Sequence, residues 1–274
     1  MIQKWRTIFI SDLHLCANGC EAELLADFLD NNWCERLVLV GDIIDGWRAK
    51  SSILKLILLN RNKYGIFCDV HQVRSIKRLL SKITKTKVEY VLGNHDDFLE
   101  GYVDDVKEFG NLTLHRMYDY VSLNGKKYLV LHGHQFDGII KYHECLAFLA
   151  DYSYGFLLFI SKMIQWFRNK FGLKGYWSLS YVIKHKVKQG IEIIYDFEKS
   201  MVNYCKAKKY NGVICGHTHF AADKEVDGIH YLNCGDWVDS CTAIVEDYDG
   251  NFKLLNWGER RENSNTDRFV DTAS

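Results

Sequence analysis

Short aliphatic and β-branched runs recur along the chain, and most of them stop at a small polar cluster. Arg6–Ile10 runs into Ser11, Asp12 and His14; Arg36–Val40 into Gly41, Asp42 and Asp45; Val88–Leu92 into Gly93, Asn94, His95 and Asp96; Lys127–Leu131 into His132, Gly133 and His134; Gly212–Cys215 into Gly216, His217 and His219. Between the first two runs, Glu21–Asn32 puts Leu24, Leu25, Phe28 and Leu29 on one helical face. Leu54–Asn60 and Gln72–Lys85 also read as helices. Near-continuous apolar strands alternating with helices imply a sheet buried on both faces. The later runs Ile229–Asn233, Thr242–Glu246 and Phe252–Asn256, separated by Gly or Asp turns, read as antiparallel neighbours. The expected fold is an α/β sandwich whose polar clusters lie beyond the carboxyl ends of the strands, where ligands gather in such sheets.

Residues 140–190 break this rhythm. They are aromatic and helical in pattern, with Phe148, Tyr152, Phe156, Phe159, Trp166, Phe167, Phe171 and Trp177 among them. From Tyr152 to Ile191 there are seven Lys or Arg and no Asp or Glu, so the rest of the chain is correspondingly acidic. The expected organisation is a core of 1–139 and 191–258, a helical aromatic and basic insertion at 140–190, and a mobile tail at 259–274.

Composition narrows the function classes. Across the 274 residues, thirty-five basic and thirty-five acidic side chains cancel, and the basic residues are interleaved with bulky aliphatics, so nucleic acid is not an expected partner. The nine cysteines contain no Cys-x-x-Cys and often sit in apolar runs. They read as reduced thiols of a cytoplasmic protein. The N-terminus has no apolar signal core, and no stretch is long and apolar enough to span a bilayer. Proline is absent, so turns rest on the 20 glycines and on Asn and Asp.

The strand-end polar residues carry the chemistry. A mixed set of imidazole, carboxylate and amide oxygen suits Mn²⁺, Fe²⁺ or Zn²⁺, and the lack of thiolate argues against a purely structural zinc. Alternate residues of an extended segment point the same way, so Asp12 with His14, and His217 with His219, can each present two ligands to one side. A pair of cations needs a bridging carboxylate, and Asp42 is the natural candidate. His71, His115, His143, His185 and His230 read as surface or core histidines.

The pattern D-x-H, G-D-x-x-D, G-N-H-D, H, G-H-x-H resembles the calcineurin-like metallophosphoesterase superfamily, with its β-sandwich flanked by helices. The resemblance implies two divalent metal ions. Asp12, His14 and His219 would hold one, Asn94, His132 and His217 the other, and Asp42 would bridge. It places His95 beside the phosphoryl group, has Asp96 orient His95 from behind, and leaves Asp45 a supporting carboxylate. Residues 1–250 further resemble the bacterial UDP-2,3-diacylglucosamine pyrophosphatase family of lipid A synthesis, in particular its longer homologues. The runs Phe9–Leu15, Gly41–Trp47, His132–Asp137, Tyr176–Ser180 and Asn233–Val238 carry that likeness. It implies Mn²⁺-dependent hydrolysis of a lipid-linked nucleotide to UMP and 2,3-diacylglucosamine 1-phosphate, peripherally on the cytoplasmic face of the inner membrane. Asp137, Lys184 and Lys188 would touch substrate, and the insertion would face an anionic membrane surface. Another nucleotide-linked or phosphodiester substrate is the alternative.

Overall fold

The computed structural model describes residues 2–17, 19–46, 70–105, 108–136 and 194–259. The chain divides into two compact units, Met1–His134 with Val202–Ser274, and Gln135–Met201. The described part of the second unit comprises 135, 136 and 194–201, where Phe136 meets Phe197 edge-on at 6.4 Å. The insertion expected over 140–190, the helix expected over Leu54–Asn60, and the tail beyond 259 lie outside the described residues.

The first unit is built on two sheets. Its strands are β1 (Gln3–Ile10), β2 (Asn32–Val40), β3 (Lys87–Val91), β4 (Glu108–Phe109), β5 (Leu112–His115), β6 (Tyr118–Val121), β7 (Lys127–Val130), β8 (Gly212–Cys215), β9 (Ala222–Val226), β10 (Ile229–Asn233), β11 (Thr242–Glu246) and β12 (Phe252–Asn256). The helices include α1 (Ala22–Asn31), α2 (Val70–Ile83) and α3 (Tyr102–Asp105). One sheet runs β12-β11-β1-β2-β3-β5-β4 and the other β6-β7-β8-β10-β9. Strands β1, β2, β3 and β5 are parallel, as are β7, β8 and β10, while the outer strands pair antiparallel. The mixed α/β architecture is the one expected.

The apolar runs are continuous because each central strand serves two cores. In β1, Ile8 and Ile10 pack with Leu25, Phe28 and Leu29 of α1, whereas Phe9 packs between the sheets with Tyr120, Tyr128 and Val130. Burying each such side chain contributes roughly 1.5–3 kcal/mol, so both faces of the strand hold it in register. Where β1 turns polar, Thr7 Oγ1 lies 2.7 Å from Tyr120 Oη, and Arg6 and Tyr120 both donate to the buried Glu246.

Two readings of the pattern are corrected. Ile229–Asn233 is not a neighbour of Thr242–Glu246: β10 pairs with β8 and β9 in one sheet, and β11 with β1 and β12 in the other. The loop 234–241 carries the chain from one sheet to the other. Strands β4, β5, β6 and β9 are short and carry no sustained apolar run. The expectation of reduced thiols also fails at Cys16, which is disulfide-bonded; Cys34, Cys205, Cys234 and Cys241 carry free thiols. Among the described residues no helix is long and apolar enough to cross a membrane.

Candidate metal centre

The carboxyl ends of β1, β2, β3, β7 and β8 deliver Asp12 and His14, Asp42 and Asp45, Asn94 to Asp96, His132, and His217 with His219 to one place. Ligand-type atoms of Asp12, His14 and His219 lie within 4.8 Å of one another, as do those of His14, Asp42 and His95, and of Asp12, Asp42 and His132. The rings of His132 and His217 are 5.0 Å apart.

Both central carboxylates are split between two tasks. Asp12 Oδ2 accepts the His217 backbone N–H at 3.0 Å, leaving Oδ1 facing Nε2 of His219 (3.3 Å) and of His14 (3.8 Å). Asp42 Oδ1 accepts the His95 backbone N–H at 2.9 Å, leaving Oδ2 facing Nε2 of His132 (3.4 Å), His95 (3.8 Å) and His14 (3.9 Å). The backbone bonds thus aim one oxygen of each acid at the imidazoles.

The loops reach this geometry through left-handed backbone. Asp12, His14, Asp42, His217 and His219 have φ of 51°, 45°, 53°, 68° and 61°, where non-glycine residues cost about 1 kcal/mol or more each. The extended alternation expected for Asp12/His14 and His217/His219 is therefore replaced by left-handed turns. Backbone bonds impose them: Asp12 N–H to Gly41 O, His14 N–H to Asp42 O, and Trp237 N–H to Asp12 O, at 3.0, 3.0 and 3.1 Å. Asn233 Nδ2 braces the last turn, donating to Gly216 O and Thr218 Oγ1 at 3.0 Å each.

The donor set fits divalent cations. Asp12 Oδ1, Asn94 Oδ1 and His132 Nε2 are buried without a hydrogen-bond partner, which costs about 1–3 kcal/mol per neutral group and more for a charge. Five carboxylates of the site, from Asp12, Asp42, Asp45, Asp96 and Asp236, are buried. Buried acids at this density need compensating positive charge. His132 Nδ1 lies 2.9 Å from Val40 O, a pure acceptor, so Nδ1 always carries a proton and Nε2 is the nitrogen left to face Asp42. Burial disfavours the charged ring, but Asp12 and Asp42 outweigh it and raise His132 to about 9 in the metal-free protein. Burial likewise works against the Asp42 carboxylate, and the attraction of His132 overrides it and holds that acid well below its usual range. A cation displacing the proton would take over the same attraction.

The structure reassigns the partner of His95. Asp96, expected behind it, turns away: its carboxylate accepts Ile43 N–H (3.3 Å), Ile44 N–H (3.1 Å), Gly93 N–H (3.2 Å) and Tyr90 O–H (2.7 Å). It ties the Asp42 loop to the Asn94 loop. The carboxylate beside the ring is that of Asp45, with Oδ1 3.3 Å from His95 Nδ1. A second carboxylate, Asp236, was not singled out from the sequence and lies 3.1 Å from His219 Nδ1. His115 and His230, read as non-ligands, pair with Glu89 at 2.7 Å and Asp223 at 2.8 Å. The expected substrate contacts Asp137, Lys184 and Lys188 lie outside the described residues.

Glycine is demanded where the loops meet. A Cβ on Gly93 would stand 2.1 Å from Asp42 Oδ1 and 2.4 Å from Asp42 N, and one on Gly216 would stand 2.4 Å from Asp12 Oδ2. Gly93→Ala is therefore expected to push Asp42 aside, lowering turnover on the order of 10²-fold, the scale of an ångström of misplacement. Overpacking should also destabilise by roughly 1–3 kcal/mol. Steady-state kinetics and urea titration check both, and unchanged turnover would contradict the packing argument.

A calcineurin-like phosphoesterase family model matches residues 6–221. No curated protein matches the sequence. Among solved structures, the chain is similar to Yfce, a phosphoesterase from E. coli, at 13% identity, 92% of this chain, 99% of that one and a TM-score of 0.40. It is similar to an archaeal phosphodiesterase at 12% identity, 91% and 98% coverage and a TM-score of 0.38. It is also similar to Vps29 from Entamoeba histolytica at 13% identity, 92% and 99% coverage and a TM-score of 0.38. The family match spans most of the length and contains every candidate ligand from Asp12 to His219, and the chain belongs to the calcineurin-like phosphoesterases, hydrolases that act on phosphoesters with the help of metal ions.

Proposed function

We propose that this phosphoesterase hydrolyses the pyrophosphate of UDP-2,3-diacylglucosamine, adding water across one P–O–P linkage to release UMP and 2,3-diacylglucosamine 1-phosphate. The phosphoester chemistry rests on one structural observation, the buried and unpartnered Asp12 Oδ1, Asn94 Oδ1 and His132 Nε2. Asp12, His14 and His219 would hold one cation, Asn94, His132 and His217 the second, and Asp42 would serve both. The mixed O/N donors suit Mn²⁺. A dication pair supplies charge neutralisation at the phosphoryl oxygens and acidification of water. The chain's own residues supply the positions: Asp12 and Asp42 are fixed by backbone N–H groups, and His95 is set toward Asp42 with Asp45 at its other nitrogen.

The lipid-linked substrate is supported by sequence. The acid-free, aromatic and basic segment from Tyr152 to Ile191 has the composition that would receive acyl chains and an anionic membrane surface on the cytoplasmic face of the inner membrane, at about 1 kcal/mol per Lys or Arg near the bilayer. The test compares UDP-2,3-diacylglucosamine with UDP-glucose and bis-p-nitrophenyl phosphate in Mn²⁺. The expected result is a kcat/KM at least about 10²-fold higher for the diacylated substrate, since binding the acyl chains is worth several kcal/mol. Equal or better turnover of the soluble compounds would favour another nucleotide-linked or phosphodiester substrate.

A further inference from the structure

Asp236 lies in the loop between β10 and β11, seventeen residues beyond His219, and its two oxygens do different work. Oδ1 accepts the backbone N–H groups of Val238, Asp239 and Ser240 at 2.9, 2.7 and 2.9 Å, closing a tight turn. Oδ2 lies 3.1 Å from His219 Nδ1. The turn is locked again by Ser240 Oγ, which accepts Asp236 N–H at 3.0 Å, and by Thr242 Oγ1, which donates to Cys234 O at 2.7 Å. The carboxylate is buried, whereas the His219 side chain is 40% exposed. The rigid partner is therefore the acid, and the more exposed imidazole is oriented by it.

The hydrogen bond fixes the tautomer. A carboxylate only accepts, so the neutral ring carries its proton on Nδ1. Nε2 then keeps its lone pair, and Nε2 is the atom that faces Asp12 Oδ1 at 3.3 Å. Val40 O does the same for His132 through a backbone carbonyl. We infer that Asp236 is a positioning residue that holds His219 as the Nδ1–H tautomer and thereby sets the affinity of the cation position shared by Asp12, His14 and His219, without setting that of the other. The inference rests on the proposed assignment of His219 to a cation.

Asp236→Asn separates positioning from folding. The side-chain oxygen can still accept the three N–H groups of the turn, so the loop keeps its closure. The amide nitrogen then meets His219 Nδ1 as a donor, which favours the proton on Nε2. Long-range proton–nitrogen NMR of the metal-free full chain, with His219→Gln as the reference spectrum, reads the tautomer directly. The expected result is Nδ1–H in the wild type and Nε2–H in the variant. Calorimetric titration with Mn²⁺ should show two sites in the wild type and, in Asp236→Asn, a 10–100-fold weakening of one of them, the usual effect of removing the partner of a ligating histidine. Asp236→Glu, which restores a carboxylate, should recover part of that loss. An unchanged tautomer, or two unchanged affinities in a wild type that binds two Mn²⁺, overturns the positioning role alone. A wild type with the expected tautomer that takes up no Mn²⁺ overturns the cation assignment and this inference with it. Should Asp236→Asn unfold, the wild-type tautomer and the Asp236→Glu titration still decide.

Discussion

Asp42→Asn is expected to lower phosphoesterase turnover by at least about 10³-fold, equivalent to roughly 4 kcal/mol of barrier, and to leave fewer than two divalent cations bound per chain. The substitution is nearly isosteric. Its side-chain oxygen can still accept the His95 N–H that Asp42 Oδ1 now accepts, so the loop geometry survives. What changes is the group facing Nε2 of His14, His95 and His132, which goes from a charged acceptor to an amide. Asp42 ligand atoms belong to two of the three clusters that could hold a cation, so removing its charge disturbs more than one position at once. Kinetics on bis-p-nitrophenyl phosphate together with elemental analysis of the purified variant measure both effects. A variant that keeps two cations and most of its activity would refute the central place given to Asp42.

The sequence made the ligands legible because their blocks interrupt apolar strands at the carboxyl end, where a parallel sheet opens its loops. Asp12, Asp42 and Asn94 follow such runs in one sheet and His132 and His219 in the other, so the site forms where strand ends of the two sheets meet. What stayed hidden depends on backbone and side-chain direction. The left-handed φ at His14 and His217 comes from inter-loop hydrogen bonds, which no local pattern records. Asp96 looked like the partner of His95 because it is next in the chain. In the fold, its carboxylate is drawn to the unpaired N–H groups of Ile43, Ile44 and Gly93, and Asp45, fifty positions earlier, takes the place beside the ring. Asp236 gave even less warning. An acid followed by turn residues reads as a cap, and that is half of what it does.

His95→Ala should cost between about 10² and 10⁴ in turnover, the range for a positioned acid–base group, while both cations stay bound. The reason is where the ring sits. Its backbone N–H is held by Asp42 and its backbone O accepts Gly46 N–H at 3.1 Å, so the main chain of the loop remains anchored without the imidazole. The ring itself is 20% exposed, with Nδ1 against Asp45 and Nε2 turned to the cluster. A group so placed can hand a proton to a departing oxygen, with Asp45 stabilising the charged ring. The size of the defect should then follow the leaving group. A p-nitrophenolate leaves readily without a proton, so hydrolysis of bis-p-nitrophenyl phosphate should suffer least. An alkoxide needs the proton, so an alkyl phosphodiester should suffer most, by an additional factor of about 10 or more on the same scale, whereas a pyrophosphate, whose leaving phosphate monoester is as weakly basic as p-nitrophenolate, should suffer little. Asp45→Asn should reproduce the trend in weaker form, since the imidazole remains but loses its charged neighbour. If His95→Ala slows good and poor leaving groups equally, the ring stabilises phosphoryl charge by electrostatics alone, and proton donation belongs to another group.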